Sequence, residues 1–162
     1  MKTAVWNVLA VLIFTSASAL AAELPKEGNF DYTSCWAGVN NLISFSKEHT
    51  ASSYEMTGVT RSNPPGGLFD KNSFRCVGTN SSMGEKKSGI AVCEAIDPDG
   101  DKRLTYFSVM ADGAITREVV TGTGKYDGMV ASGKVEPYGP FPAIKAGTFQ
   151  DCNRQTGTYK LK

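Results

Sequence analysis

From Asn29 onward the apolar residues come in short alternating bursts, never as a helical stripe. The segments "FDYTSCWAG" (Phe30–Gly38), "NNLISFSK" (Asn40–Lys47), "SYEMTGVTR" (Ser53–Arg61), "SFRCVG" (Ser73–Gly78) and "GIAVCEAID" (Gly89–Asp97) are rich in β-branched and aromatic residues. So are "RLTYFSVMA" (Arg103–Ala111), "AITREVVT" (Ala114–Thr121), "GMVASGKVE" (Gly128–Glu136) and "GTFQDCNRQTGTYKL" (Gly147–Leu161). Such residues suit a pleated, half-buried surface. Between them stand the breaker-rich stretches "RSNPPGG", "GTNSSMGEKKSG", "DPDGD", "DG" and "EPYGPFPAIKAG", which read as turns and loops. No segment keeps apolar residues at i, i+3, i+4 and i+7 over helical length; Thr50–Tyr54 has room for one helical turn. Asp112-Gly113 predicts a tight hairpin turn with positive φ. Asp97–Asp101 predicts another, with Gly100 taking positive φ. Eight or nine antiparallel strands predict an all-β domain, either a closed barrel or a sandwich.

The opening residues carry a different signal. Lys2 is followed by the apolar run Ala4–Phe14 and by small residues ending in Ala19-x-Ala21. That order is expected of a cleavable signal peptide, residues 1–21, leaving a single domain over 22–162 that is secreted or periplasmic. The run falls short of the roughly 20 apolar residues a membrane span needs, so no span is expected in the mature chain. Cys35 lies too far beyond the cut for lipid attachment.

Charge narrows the partners. The chain has 17 Lys and Arg against 16 Asp and Glu, a net charge of +1, and Lys2 leaves with the signal. No basic patch or stripe stands out, so no nucleic-acid partner is expected. Cys35, Cys76, Cys93 and Cys152 are an even set in an exported chain and predict disulfides. None of them forms the close pair typical of zinc, and the chain holds one histidine; no metal or cofactor is expected.

Two motifs invite a chemical reading. "TGTGKYDGM" (Thr121–Met129) contains Gly-Thr-Gly-Lys, but Val119 stands where a phosphate loop needs its first glycine and Tyr126 where it needs Ser or Thr. The nucleotide reading fails, and the glycines suit tight turns and bends in a curved sheet. "DPDGDKRLTYF" places Asp97, Asp99 and Asp101 at the first three calcium-ligand positions of an EF-hand loop. Lys102 then replaces its glycine and Ser108 its final glutamate. A weak calcium site is the minor expectation; a hairpin turn with Asp side chains bonded to backbone N–H groups is the major one.

"CVG" (Cys76–Gly78), Cys93, "DPDGDK" (Asp97–Lys102) and "GTGKYDG" (Gly122–Gly128) occur in this order. The arrangement resembles a family of exported bacterial proteins of unknown function whose fold is similar to the allene oxide cyclase-type β-barrel, itself lipocalin-like in shape. The resemblance covers about Phe74–Gly133. It implies an antiparallel closed barrel of about eight strands. The cyclase's catalytic residues find no counterparts, so no cyclase activity is implied. In such a barrel Cys76 and Cys93 lie on successive strands. Cys35 and Cys152 lie on the first and last, where a cross-link would lock the closure; other pairings stay open.

Strand alternation sorts the faces but does not choose between them. Phe74, Cys76, Ala91, Cys93 and Ala95 share one face; Arg75, Val77, Ile90, Val92, Glu94 and Ile96 share the other. If the second face points inward, Arg75 and Glu94 enter the barrel together as a ligand anchor, an acid/base or an internal ion pair. If the cysteine face points inward, Glu94 is an ordinary surface residue. His49 reads as a solvated loop histidine, and no G-x-S-x-G elbow is present to hold a serine nucleophile. Trp36 and Arg154 resemble the Trp–Arg plug of lipocalin floors, but a Cys35–Cys152 bond puts them on opposite faces.

The expected function is a non-catalytic barrel holding a small apolar or amphipathic molecule, with Arg75, Glu94, Tyr106 and Tyr126 as candidate ligand contacts, or an unliganded structural barrel. The alternative is an isomerase or cyclase acting on a hydrophobic substrate with Glu94 as acid/base.

Overall fold

A computed structural model describes residues 24–162; the expected signal segment lies outside them. The described chain is all-β: β1 (Glu27–Ser44), β2 (His49–Ser62), β3 (Ser73–Met83), β4 (Lys86–Ile96), β5 (Lys102–Val109), β6 (Ile115–Gly122), β7 (Val130–Pro137) and β8 (Thr148–Lys160). A 3₁₀ turn, Gly124–Tyr126, precedes β7. The strands form one antiparallel sheet in the order β6-β5-β4-β3-β2-β1-β8-β7, curled into a nearly closed barrel.

Three stretches differ from the sequence expectation. "FDYTSCWAG" and the first five residues of "NNLISFSK", to Ser44, are a single long strand, because Gly38 and the asparagines continue the ladder against β2 without a break. The stretch "GTNSSMGEKKSG" is mostly strand as well, narrowing to a turn at Gly84 and Glu85. Its polar side chains bond across the ladder, as between the hydroxyls of Ser81 and Ser88 at 2.8 Å. Thr50–Tyr54 belongs to β2, not to a helical turn. The turn predictions hold: Gly100 and Gly113 have φ of 90° and 87°.

Both expected disulfides are present, Cys35–Cys152 and Cys76–Cys93, each joining directly opposed residues of neighbouring strands. The first does not close the barrel. β1 and β8 already pair over their length, while the seam lies between β6 and β7, which share no ladder. The reason is that β7 and β8 form a hairpin that β1 joins from its other edge.

The cysteine face of β3 and β4 points inward. Cys76, Ala91 and Cys93 are buried and packed by Tyr54, Met56, Phe74 and Phe107, and Ala95 is buried on the same face. Small residues leave room in a narrow lumen for the aromatic rings. Gly78 shows the constraint: a Cβ there would collide with the Ile90 carbonyl and come to 2.5 Å from the Tyr54 ring. The opposite face carries charges that bond across strands, Arg75 to Glu55 at 2.8 Å and Lys102 to Glu94 at 2.9 Å. Burying these four charges would cost far more than leaving Val77, Val92 and Ile96 half exposed.

Candidate functional site

Alternation makes the barrel hollow. An open cavity of about 430 Å³ runs down the lumen from one end. Its walls carry Trp36, Tyr54, Met56, Phe74, Phe107 and Phe149, together with the inner disulfide. At the mouth lie the β1–β2, β3–β4, β5–β6 and β7–β8 connections. Leu42, Ile43, Phe45, Met110, Phe141 and Ile144 are exposed there, so the rim is apolar as well as the walls.

The other end is sealed. The β2–β3 loop inserts Leu68 and Phe69, and the 3₁₀ turn inserts Tyr126; both pack with Phe30, Tyr32 and Tyr159 in one buried cluster. Phe69 adopts a left-handed backbone, φ 69°, which a non-glycine residue tolerates only when its surroundings over-determine it. Here the Thr60 hydroxyl donates to the Phe69 carbonyl at 2.5 Å, and the ring meets Phe30, Tyr32 and Tyr126 with centroids at 5.4, 5.3 and 6.0 Å.

Two arginines enter this aromatic floor. Arg103 (5% exposed) and Arg117 (7%) point inward from β5 and β6. The guanidinium carbon of Arg103 stands 4.0 Å from the Phe69 ring centroid; that of Arg117 lies 4.9 Å from Phe30 and 5.5 Å from Phe69. Arg117 donates to the Tyr32 hydroxyl at 3.2 Å, and that hydroxyl donates to Gln155 Oε1 at 2.5 Å. Asn72, fully buried, offers its amide oxygen to Arg103 and its NH₂ to the Asp70 carbonyl. Among the described residues no carboxylate pairs with either arginine. Burial pulls Arg103 below the usual guanidinium range, though arginine remains charged in a protein. It also pushes the Tyr126 hydroxyl up to about 12.

The two sequence motifs meet beneath the floor. Lys125 of "GTGKYDG" extends its ammonium to Asp97 at 2.7 Å and Asp99 at 2.5 Å, and its backbone N–H donates to Asp101 at 3.1 Å. Asp97 also accepts from the backbone N–H groups of Asp99 and Asp101. Gly124, at φ 51°, leaves room for the Asp101 carboxylate, which a Cβ would strike. The lysine supplies the positive charge among the aspartates, and among the described residues no cluster of acidic, Cys and His side chains is arranged to hold a metal. The hairpin reading of this loop accounts for its geometry.

The candidate contacts named from the sequence are scattered. Arg75 and Glu94 sit on the outer face with side chains 60% and 58% exposed. Of the two faces left open by alternation, the cysteine face is the inner one, so Arg75 and Glu94 are surface residues and not candidate ligand contacts in the lumen. Tyr106 shares that outer side, opposite Val92 and Glu118. Tyr126 is buried in the floor, but outside the cavity wall. Trp36 lines the cavity, while Arg154 lies outside, bonded twice to Asp31 at 2.9 and 2.6 Å; no Trp–Arg plug forms. Sequence reasoning missed Arg103 and Arg117. A signal was present: Arg117 falls between Ile115 and Val119 on one face of an alternating strand, where a charge is out of place.

No protein-family model, curated protein or solved structure matches this chain. Fold and site together define a class: an eight-stranded antiparallel barrel, nearly closed, with an open apolar mouth and a buried aromatic floor. Its two disulfides point to an oxidising, extracytoplasmic setting.

Proposed function

We propose that the protein is an exported, non-catalytic binding barrel that holds one small apolar or amphipathic molecule in its lumen, in the periplasm or outside the cell. The observation that carries this reading is the open cavity of about 430 Å³ with aromatic walls. Small-molecule sites occupy roughly 300–1,000 Å³ and are mostly apolar with a few placed polar groups, and barrels of about eight strands hold one small ligand when their own side chains leave space. The apolar rim supports entry of such a molecule from the same end. The signal-like opening and the disulfides support export. The resemblance to the allene oxide cyclase-type barrel supports the shape and carries no activity. The cyclase alternative loses its acid/base, since Glu94 faces water outside the lumen.

Native mass spectrometry of the protein purified from its own host tests the reading. One retained small molecule is expected, and it should be absent from an Ala91→Trp variant, whose indole fills the lumen beside Cys93. If the protein neither retains a molecule nor takes up dodecanol, the barrel is a structural element and the proposal fails.

A further inference from the structure

We propose that the floor of the lumen holds the oxyanion head of an amphiphilic ligand, with Arg103 as its direct partner and Arg117, Tyr32 and Gln155 around it. This rests on the reading of the barrel as a binding protein and names the class of ligand: an apolar chain ending in a carboxylate or phosphate. Arg103, Tyr32 and Gln155 line the deep part of the cavity. Among the described residues, Nε of Arg103, and Nε and Nη2 of Arg117, are buried without an acceptor. Native proteins seldom leave such donors unmet, and a buried cation without a counter-charge is unfavourable. The faces of Phe69, Tyr126 and Phe30 ease the burial of both cations but supply no negative charge. A carboxylate or phosphate provides that charge, and its oxygens match the planar guanidinium fork. With the head at the floor, the chain runs up past Phe107, Phe74, Tyr54 and Phe149 towards the mouth.

The test compares dodecanoate, dodecyl phosphate and dodecanol, each below its micelle concentration, by calorimetry on the disulfide-intact protein. At least one anion should bind about tenfold or more tightly than the alcohol, the scale of a hydrogen bond to a charged group; the tighter anion identifies the head. Arg103→Met should erase the preference, bringing the affinity for the anions down to that for dodecanol. Its ligand-free melting temperature should equal or exceed the parent's, the reverse of what a purely structural arginine gives. Equal binding of all three probes by the parent overturns the anchor and spares the binding barrel, and this comparison needs no variant to fold. A preference that survives in Arg103→Met also overturns it. Binding of none overturns the anchor and, when no host molecule is retained either, the binding barrel as well.

Discussion

Lys125→Met tests whether the lysine, rather than a metal, holds the aspartate loop against the floor. In the parent, Asp97 is buried, its side chain 2% exposed, and Lys125 lies 2.7 Å away. Removing one partner of a buried pair costs about 3–5 kcal/mol, because the other charge stays behind. Asp97 keeps the N–H groups of Asp99 and Asp101 at 2.9 and 3.0 Å, so the lower end applies, about 3 kcal/mol. Asp97→Asn is the milder change. Lys125 would keep Asp99 and some water, and the new side chain would keep the backbone bonds, leaving a cost of about 1–2 kcal/mol. Urea denaturation at pH 7 should show this order, and the larger loss should lower the melting temperature by about 6–12 °C. Equal losses, or losses below about 0.5 kcal/mol, would refute the latch.

Acid and base give the same pair a second signature. Burial would raise the Asp97 carboxyl, but Lys125, the Tyr126 hydroxyl and the Asp101 N–H outweigh it and hold it below the usual carboxylate range. A lowered carboxyl contributes stability above its unfolded value of about 3.9, and this is lost as pH falls further through the folded value. Burial would lower the Lys125 ammonium, but Asp97 and Asp99 outweigh it and hold it above the usual lysine range. Its contribution is complete below about 10.4 and is lost as pH rises through the folded value. The difference between parent and Asp97→Asn should therefore be flat from about pH 4 to 10 and shrink on the acid side. A difference that stays constant down to pH 2 would contradict the pairing. Calcium should add nothing: a site with a dissociation constant of about 1 mM would contribute about 1.4 kcal/mol at 10 mM calcium, and no such shift is expected.

Three further outcomes follow from the same geometry. Glu94→Gln and Glu94→Ala should each change stability by less than about 0.5 kcal/mol in thermal melts, because the carboxylate faces solvent. Gly78→Ala should cost about 1–3 kcal/mol in urea denaturation, since its Cβ meets the Ile90 carbonyl and the Tyr54 ring. In the loop-entropy view, replacing Cys35 and Cys152 by alanine should cost about 5 kcal/mol and replacing Cys76 and Cys93 about 3, reflecting separations of 117 and 17 residues; chemical denaturation of the two double variants measures both.

The strands and turns were legible because alternation and breaker residues are local signals. The disulfide partners were legible on the premise that the first and last strands meet; they do, through the β1–β8 ladder and not at the barrel's seam. The inward face was not legible. Counting Val and Ile favours the face of Glu94, but the barrel is decided by size and charge: Ala91, Ala95 and Gly78 fit a narrow lumen, whereas Arg75, Glu55, Glu94 and Lys102 find one another only outside. The motifs "DPDGDK" and "GTGKYDG" were each visible and each explained alone. That Lys125 answers Asp97 depends on β5 and β6 bringing both loops to one end, which no local pattern states. Arg103 and Arg117 escaped notice because an arginine in a strand reads as a solvent-facing residue unless the period of that strand is trusted over its composition.

The floor is costly for so small a barrel. Two buried guanidiniums without carboxylates work against folding by several kcal/mol each before cation–π contacts return about 0.5–2 kcal/mol apiece. A domain stable by about 5–15 kcal/mol in all cannot absorb that easily. Only the Lys125 latch and the ring of Phe69 between the arginines lie at the floor; the Cys76–Cys93 cross-link stands higher, in the cavity wall. Unmet charge and the left-handed backbone of Phe69 thus gather at the closed end of an open cavity, and the proposed anionic ligand is what would answer that charge.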